Sequence, residues 1–174
     1  AEILSGIYEE DFLPFSFGYR PHRGAKEAVM ELREGLRFKT TWVVEADIRG
    51  FFDNLDHDWL LRMLGERVAD SAYINLIRKW LKAGILEKDG NVLNPTSGTP
   101  QGGIISPVLA NIYLHYSLDL WFEKEFRKTC KGNAFLVRYA DDFVAGFQYH
   151  DDAIRFHRAM AERLGKFKLS LAEE

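Results

Sequence analysis

The sequence predicts an α/β (α+β) fold in which an antiparallel sheet packs on helices. Apolar runs at 134–137 and 143–147 flank Tyr139-Ala140-Asp141-Asp142, which is the pattern of a β-hairpin with an acidic tip. Residues 40–48 have the β-branched and aromatic content of a further strand. Elsewhere the apolar residues recur at the spacing of helices. Together these observations favour one sheet with helices on the face opposite the acidic residues.

The predicted elements follow in a simple order. They are a helix over 26–36, the strand over 40–48, a helix capped by Asp56, a helix that ends before Gly84, a short hairpin around Asp89-Gly90, a helix from Ser106, the acidic hairpin, and a last helix capped by Asp151 or Asp152. Asp and Ser are favourable N-caps, Pro107 suits a first helical turn, and Asp-Gly suits a tight hairpin.

Three of these helices carry apolar residues that should face the core. In the helix before Gly84 these residues are Tyr73, Leu76, Ile77, Trp80 and Leu81. In the helix after Ser106 they form a single stripe at 108, 109, 112, 113, 116 and 120, and in the last helix they are Ile154, Phe156, Met160 and Leu164.

Composition agrees with one soluble domain. The 174 residues are 47% hydrophobic and 14% aromatic, which is enough for a single core. No apolar run approaches the length of a membrane span, so we expect no membrane partner. The single cysteine, Cys130, excludes an internal disulfide and favours a cytoplasmic location.

The acidic tip suggests a metal site. Alternation along 40–48 places Val43, Glu45 and Asp47 on one face, with Asp47 at the strand end. If this strand lies beside the hairpin, Asp47 meets Asp141 and Asp142, and three carboxylates can hold two divalent ions about 3.5–4 Å apart. Oxygen ligands favour Mg²⁺ or Mn²⁺ over zinc, and the Ile48 carbonyl could add a ligand. Taken alone, an Asp-Asp pair is more often a solvated turn.

A glycine-rich segment precedes the helix at Ser106. Its sequence, Ser97-Gly98-Thr99-Pro100-Gln101-Gly102-Gly103, has little side-chain bulk and leads into a helix N-terminus. Such a loop lets a base pair or a phosphate approach the backbone closely. An ordinary glycine-rich loop is the alternative if the segment is considered by itself.

In order and spacing, four segments resemble the motifs of reverse transcriptases, specifically the group II intron-encoded (bacterial retroelement) branch. They are Phe17 to Ala25, similar to the segment before the polymerase palm; Asp47 to His57, similar to the first catalytic motif; Thr99 to Leu114, similar to the loop and helix under the nascent base pair; and Tyr139 to Asp142, similar to the metal-binding hairpin. The resemblance covers nearly the whole chain.

The resemblance implies a set of site residues. Asp47 and Asp141 would be the principal metal ligands, with Asp142 beside them, and two Mg²⁺ would be the cofactors, with Mn²⁺ as a substitute. Phe51-Phe52 stands where the family places its sugar-selecting ring. We favour Phe52, which in an extended run falls five residues after Asp47, and expect Phe51 in the core.

The remaining implied contacts are with substrates. Gln101 and Gly102 would lie at the incoming nucleotide. Arg20, Arg23, Pro100 and Tyr139 would contact template or primer, although a solvated basic turn explains Arg20 and Arg23 equally well. The implied partners are an RNA template, a DNA or RNA primer, deoxynucleoside triphosphates and a structured intron RNA.

Two features differ from a typical family member. A net charge of −3 is unexpected for a protein that binds a polyanion. The chain also reads as a fragment, with the end of the fingers over 1–39 and the palm over 40–174, so we expect it to be inactive alone and, with a sheet edge exposed, to self-associate.

The resemblance leaves alternatives open. Retron, diversity-generating and CRISPR-associated reverse transcriptases share the same core. A non-enzymatic RNA-binding module that acts as a splicing cofactor, or maturase, would keep the fold without depending on its chemistry. All three aspartates are present, which favours the enzyme.

Overall fold

The computed structural model describes residues 1–37, 39–83, 85–86, 92–93, 97–99 and 103–172. The helices are α1 (Glu2–Tyr8), α2 (Ala25–Arg37), α3 (Phe51–Asn54), α4 (His57–Gly65), α5 (Ser71–Lys82), α6 (Ser106–Leu114) and α7 (His150–Lys166). The strands are β1 (Ser16–Phe17), β2 (Trp42–Ala46), β3 (Ile85–Leu86), β4 (Val92–Leu93), β5 (Ala134–Tyr139) and β6 (Asp142–Phe147). Two π-helical segments, His115–Asp119 and Phe122–Phe126, and a 3₁₀ turn, Arg127–Thr129, continue α6.

A four-stranded sheet in the order β1-β5-β6-β2 carries the acidic hairpin. Strands β2, β6 and β5 are antiparallel, as the sequence predicts, and β1 adds a short parallel strand beside β5 that the sequence does not. β2 spans 42–46, shorter than the predicted 40–48. The predicted short hairpin is confirmed by the pairing of β3 with β4, and its Asp89-Gly90 turn lies outside the described residues.

Helices cover both faces of the sheet. The face that carries Leu136, Ala145 and Phe147 packs into the main core with α6, its π-helical continuation and α7. On the other face, a Cβ at Gly35 of α2 would lie 2.7 Å from the Phe135 ring, and one at Gly146 would lie 2.1 Å from it. The two glycines therefore make room for the ring between α2 and β6. The prediction of helices on the opposite face is thus incomplete, because α2 shares the face of Asp142.

The helix after Ser106 does not have the single buried stripe that its spacing predicts. Leu118 and Asp119 are buried, whereas Tyr116 and Leu120 are only partly so. The helix is enclosed on all sides, since Ser106 and every residue from Val108 to His115 are buried. The π-helical segment that follows, in which the Leu120 N–H donates to the His115 carbonyl five residues back, ends at the buried Asp119.

Two other helices bury fewer residues than expected. Ile77 and Leu81 of α5 are buried, but Leu76 and Trp80 are exposed because α5 packs mainly on α4 along one side. In α7, Phe156, Met160 and Leu164 are buried as predicted, whereas Ile154 is exposed. Tyr149 is the N-cap of α7, so both predicted caps are wrong. Asp151 and Asp152 lie within the helix, and the buried Asp152 accepts the Lys131 N–H.

The predicted cap at Asp56 is confirmed. Its carboxylate accepts the Trp59 N–H at 2.9 Å and a hydrogen bond from the Lys168 ammonium at 2.5 Å. Burial alone would raise the pKa of Asp56, but these hydrogen bonds outweigh it and the pKa is lowered. Asp56 thereby ties α4 to the chain that follows α7.

We expect this contact to make stability pH-dependent in acid. Because the folded pKa of Asp56 is depressed, its contribution is complete above the ordinary aspartate pKa of about 4 and is lost as the pH falls through the folded value. Asp56→Asn keeps a good N-cap and removes the charge, so it should cost about 1 kcal/mol or less at pH 7, since Lys168 is well exposed. Urea unfolding at pH 7 and pH 3 measures the difference in the free energy of unfolding between the unaltered protein and Asp56→Asn. The same difference at both pH values contradicts the prediction.

No helix in the described parts of the chain is long and apolar enough to cross a membrane.

Candidate active site

The acidic tip is a two-residue turn. Tyr139 pairs with Asp142, which leaves Ala140 and Asp141 as the loop. Ala140 has a φ of +56°, a left-handed conformation that such turns require and that costs a non-glycine residue about 1–2 kcal/mol. Tyr139 and Asp142 lie on one face of the sheet, and Tyr139 is exposed there.

Asp47 stands beside this turn. The β2–β6 register pairs Ala46 with Phe143, and its extension by one residue sets Asp47 opposite Asp142. Val43, Glu45 and Asp47 are all exposed, so the predicted alternation is confirmed. One Asp47 carboxylate oxygen accepts the Ile48 N–H at 2.8 Å. The structure therefore brings the three aspartates to one end of the sheet.

The Ile48 carbonyl points towards the same end. The Asp47 carbonyl accepts the Ala172 N–H, and the Arg49 N–H donates to the Ser170 carbonyl. Because N–H and C=O of one trans peptide point in opposite directions, the Ile48 carbonyl is directed away from residues 170–172 and towards the hairpin. This orientation is the one that its predicted role as a ligand requires.

The charges of the three aspartates act on one another. Burial of Asp141 raises its pKa, and the neighbouring charges of Asp142 and Asp47 raise it further. A carboxylate that is both half-buried and near two others is one that a cation would stabilise.

The donor set fits a hard divalent cation with only partial protein ligation. Within the described residues, no three His, Cys, Asp or Glu side chains are arranged as a closed metal-binding group. Mg²⁺ is commonly held by one or two carboxylates, with water and substrate phosphates completing its coordination. Carboxylate oxygens from Asp47, Asp141 and Asp142 suit that mode.

Gly18 fits tightly against the turn. Its φ is +79°, and a Cβ on it would lie 2.9 Å from the Ala140 nitrogen. The Ala140 N–H donates to the Phe17 carbonyl at 3.0 Å, so the chain at 17–18 supports the hairpin tip directly. A side chain at this position would displace the backbone that carries Asp141.

We expect Gly18→Ala to impair both stability and activity. The left-handed backbone costs about 1–2 kcal/mol for alanine, and the contact with Ala140 adds to it. A shift of about 1 Å at a catalytic group can lower a rate by about 100-fold. Thermal unfolding measures the first effect, and nucleotide incorporation by the full-length product of the gene measures the second. Gly6→Ala, where a Cβ meets nothing within 4 Å, is the matched control, and equal behaviour of the two variants contradicts the prediction.

The two phenylalanines after Asp47 have different surroundings. Phe51 is buried against the Tyr113 ring, as predicted, and Phe52 is only partly buried. Phe52 does not lie in the predicted extended run, because residues 51–54 form the short helix α3 after Gly50, whose φ is +52°. The exposure of Phe52 is nonetheless compatible with a contact to substrate.

The glycine-rich segment is fastened to α3 at its start. The Thr99 N–H donates to the Phe52 carbonyl at 2.9 Å, and the Gly98 N–H donates to the Leu55 carbonyl at 2.8 Å. The buried His57 places Nε2 2.7 Å from the Gly98 carbonyl, so this nitrogen donates. The predicted contacts Pro100, Gln101 and Gly102 lie outside the described residues.

The two arginines predicted to contact nucleic acid differ. The Arg20 side chain is only 3% exposed, pairs with Glu9 at 2.7 Å and donates to the Leu13 and Ser16 carbonyls. Its guanidinium is therefore used within the fold, and this corrects the predicted phosphate contact. Arg23 is partly exposed, donates to the Pro14 carbonyl and lies over the Phe17 ring, so it remains accessible from solvent.

Sequence reasoning missed the residues beneath the turn. Arg138 and Asp119 are fully buried and form an ion pair, and Asn111 contacts the same arginine. The sequence does contain one indication of Arg138, because an arginine stands inside an apolar strand. The two-residue alternation of that strand directs this arginine towards the core. Such a residue requires a buried partner, but the sequence does not say which one.

The fold is that of a polymerase-type domain. The chain is similar to the telomerase from Candida albicans solved in complex with a TWJ fragment of telomeric RNA, with a TM-score of 0.69, 14% identity, and coverage of 97% of this chain and 32% of that one. It is also similar to an apo telomerase from Candida tropicalis, with a TM-score of 0.68, 15% identity, and coverage of 98% and 37%. At these identities the likeness concerns the fold.

The sequence matches the reverse transcriptase (RNA-dependent DNA polymerase) family over residues 2–174, and the chain belongs to that family. It is 46% identical over 116 residues to the group II intron-encoded protein LtrA of Lactococcus lactis subsp. cremoris, covering 65% of this chain and 18% of that protein. It is 34% identical over 124 residues to a putative COX1/OXI3 intron 2 protein of Saccharomyces cerevisiae, covering 71% and 14%. The chain thus spans less than a fifth of these two relatives.

Proposed function

We propose that this chain supplies the catalytic centre of a cytoplasmic RNA-directed DNA polymerase of group II intron type, which adds deoxynucleotides to a primer 3′ end. The observation that carries the proposal is the strand register, which sets Asp47 opposite Asp142 and so beside Asp141 in the hairpin turn. The chain that carries these aspartates belongs to the reverse transcriptase family. Carboxylates gathered at one end of a sheet suit in-line phosphoryl transfer with two Mg²⁺.

The aspartates act mainly by electrostatics and positioning. Asp47 and Asp141, with Asp142 and the Ile48 carbonyl beside them, would hold the two metal ions. When bound, these ions would lower the pKa of the primer hydroxyl and offset charge on the departing pyrophosphate. The half-buried position of Asp141 strengthens its attraction for a cation, because local solvent is reduced.

The surrounding residues fix the substrates. Phe52 lies against the sugar of the incoming nucleotide and excludes a 2′-hydroxyl, and Gln101 and Gly102 contact that nucleotide from the glycine-rich loop. The bonds from 98 and 99 to α3 support this arrangement, since they keep the start of the loop beside Phe52. Tyr139, Pro100 and Arg23 contact template or primer.

Primer extension on an RNA template tests the proposal. The full-length product of the gene should add deoxynucleotides in Mg²⁺ or Mn²⁺, stop when the metal is chelated, and discriminate against ribonucleotides. The 174-residue chain assayed in parallel should bind metal and extend poorly. A folded full-length product that extends no primer on any RNA template, while binding RNA tightly, contradicts the polymerase assignment.

A splicing cofactor is the second candidate. The chain is 28% identical over 111 residues to a nuclear intron maturase 3 of Arabidopsis thaliana, covering 64% of this chain and 15% of that protein. An RNA-binding role of this kind places the structured intron RNA among the partners. Restoration of intron splicing by protein that cannot extend primers favours this candidate.

Self-association is proposed for the isolated chain. β2 pairs only with β6 among the described strands, and Trp42 and Val43 are exposed on it. A strand edge with exposed apolar residues is a template for pairing with a second copy. Light scattering should show a mass that rises with concentration, and Val43→Lys should suppress the rise. A constant monomer mass over a wide concentration range contradicts this proposal.

A further inference from the structure

Arg138 lies fully buried beneath the acidic turn, on the core face of β5. A guanidinium has five N–H protons in a fixed plane, and here five hydrogen bonds use them. They run from Nε to Asp119 Oδ1 (2.8 Å), from Nη2 to Asp119 Oδ2 (2.6 Å) and Ser16 Oγ (2.7 Å), and from Nη1 to Asn111 Oδ1 (2.9 Å) and the Ala140 carbonyl (2.8 Å).

The bond to Ala140 is the one that reaches the active site. The Ala140 carbonyl belongs to the peptide group that joins Ala140 to Asp141. Arg138 therefore fixes the orientation of this peptide group, to which the Cα of Asp141 is attached. The other side of Ala140 is held by the Phe17 carbonyl, which accepts its N–H. A left-handed alanine persists only where its surroundings determine its conformation, and here both of its peptide groups are fixed.

Asn111 extends the support to the neighbouring chain. Its Oδ1 accepts from Arg138, and its Nδ2 donates to the Gly18 carbonyl at 3.0 Å. A donor on one side and a carbonyl on the other fix the orientation of this amide. Gly18 is the residue that packs against Ala140, so a single amide connects α6 with both supports of the turn.

Asp119 reaches Arg138 from the π-helical segment that continues α6. It is the last residue of His115–Asp119 and is fully buried. π-Helical segments are frequent at functional sites. The ion pair then holds the guanidinium with two parallel bonds, which is the most orientation-specific pairing available to arginine.

We propose that Arg138, oriented by Asp119, is a positioning residue that fixes the Ala140–Asp141 peptide and thereby the direction of the Asp141 carboxylate. Its relevance to synthesis rests on the proposed polymerase function. A purely structural ion pair would stabilise the fold in the same way wherever it lay. A positioning pair must in addition restrict the turn and improve metal binding.

The test is the double variant Arg138→Met/Asp119→Leu in the full-length product. Apolar residues of similar volume often replace a buried ion pair without loss of stability, so this variant removes the bond to Ala140 while the core stays filled. The matched control is Asp152→Leu/Arg155→Met, which removes a pair at the opposite end of the β5–β6 hairpin, about 20 Å away along strands of six residues.

Three measurements separate the two roles. Amide hydrogen exchange in the 134–147 segment should accelerate at the turn by about 10- to 100-fold in the Arg138 variant and not in the control. Mn²⁺ affinity, followed by the paramagnetic resonance of the free ion, should weaken by about 10- to 100-fold. The maximal rate of synthesis should fall by a similar factor, with little change in the KM for the nucleotide.

Arg138→Lys guards against a variant that does not fold. It keeps a charge opposite Asp119 but offers three N–H protons in place of five, so it should stay folded and still loosen the turn. The proposal is overturned if either Arg138 variant shows the same amide hydrogen exchange at the turn and the same Mn²⁺ affinity as the control variant. If the unaltered protein makes no DNA, the polymerase function fails, and the exchange measurement still decides whether Arg138 holds the turn.

Discussion

Asp141→Asn is expected to abolish primer extension while leaving the fold and RNA binding intact. Asparagine has nearly the same shape as aspartate but lacks the charge that a metal ion requires. Loss of one preorganised electrostatic contact at a phosphoryl-transfer site costs a factor of about 100 or more in rate. The measurement is single-nucleotide incorporation at saturating primer and nucleotide.

The same substitution should not destabilise the metal-free protein. Burial opposes ionisation of Asp141, and the charges of Asp142 and Asp47 oppose it further, as the raised pKa shows. A neutral side chain removes this penalty, so the metal-free melting temperature should be equal or higher, and the added stabilisation by Mg²⁺ should be smaller. Active sites commonly retain such unfavourable charges for function.

The control is Asp151→Asn. Asp151 is well exposed on α7, and its ion pair among the described residues is with the exposed Lys131. It should extend primers at the unaltered rate and respond to Mg²⁺ normally. If Asp141→Asn keeps more than about a tenth of the rate, Asp141 is not a principal ligand. If it loses RNA binding as well, the catalytic and binding surfaces are not separable.

Among the single substitutions proposed here, Phe156→Ala is expected to lower the free energy of unfolding most. Phe156 is fully buried and contacts four other rings of the described residues. The centroid distances are 6.1 Å to Trp121, 5.7 Å to Phe122, 5.3 Å to Phe126 and 5.2 Å to Phe147. Removal of a buried phenyl ring leaves a cavity that costs about 3–5 kcal/mol in the free energy of unfolding. Denaturant unfolding measures the loss.

Ile154→Ala supplies a control on the same helix. The spacing of α7 predicts that Ile154 and Phe156 both face inwards, but Ile154 is 41% exposed. Its truncation should therefore change the free energy of unfolding by about 0.5 kcal/mol or less. Comparable losses from the two substitutions would mean that α7 packs in the orientation that its spacing predicts rather than in the observed one.

The sequence by itself determined the parts of the protein that depend on local pattern. Alternation over 40–48 placed Asp47 on the exposed face, and the apolar runs around Asp141 predicted the hairpin, because a strand repeats every two residues. The N-cap at Asp56 was equally predictable, since it depends on neighbours three residues apart. The order of the motifs was enough to indicate the family.

Only the tertiary structure decided which buried charges pair. Arg138 meets Ser16 across 122 residues of chain and Asp119 across 19, and no periodicity links such positions. The structure likewise assigned Arg20 to Glu9, where the sequence offered a phosphate contact. A buried guanidinium must find partners for all its donors, and those partners are set by how the elements pack.

The structure alone also decided how much of the long helix after Ser106 is buried. Its spacing predicts one apolar stripe that includes Leu120, but the helix is enclosed on all sides, Leu120 is only partly buried and Asp119 is fully buried. The aspartates that would do the chemistry were thus predictable from local pattern. The residues that hold them in place were not, because their roles arise from contacts between distant segments.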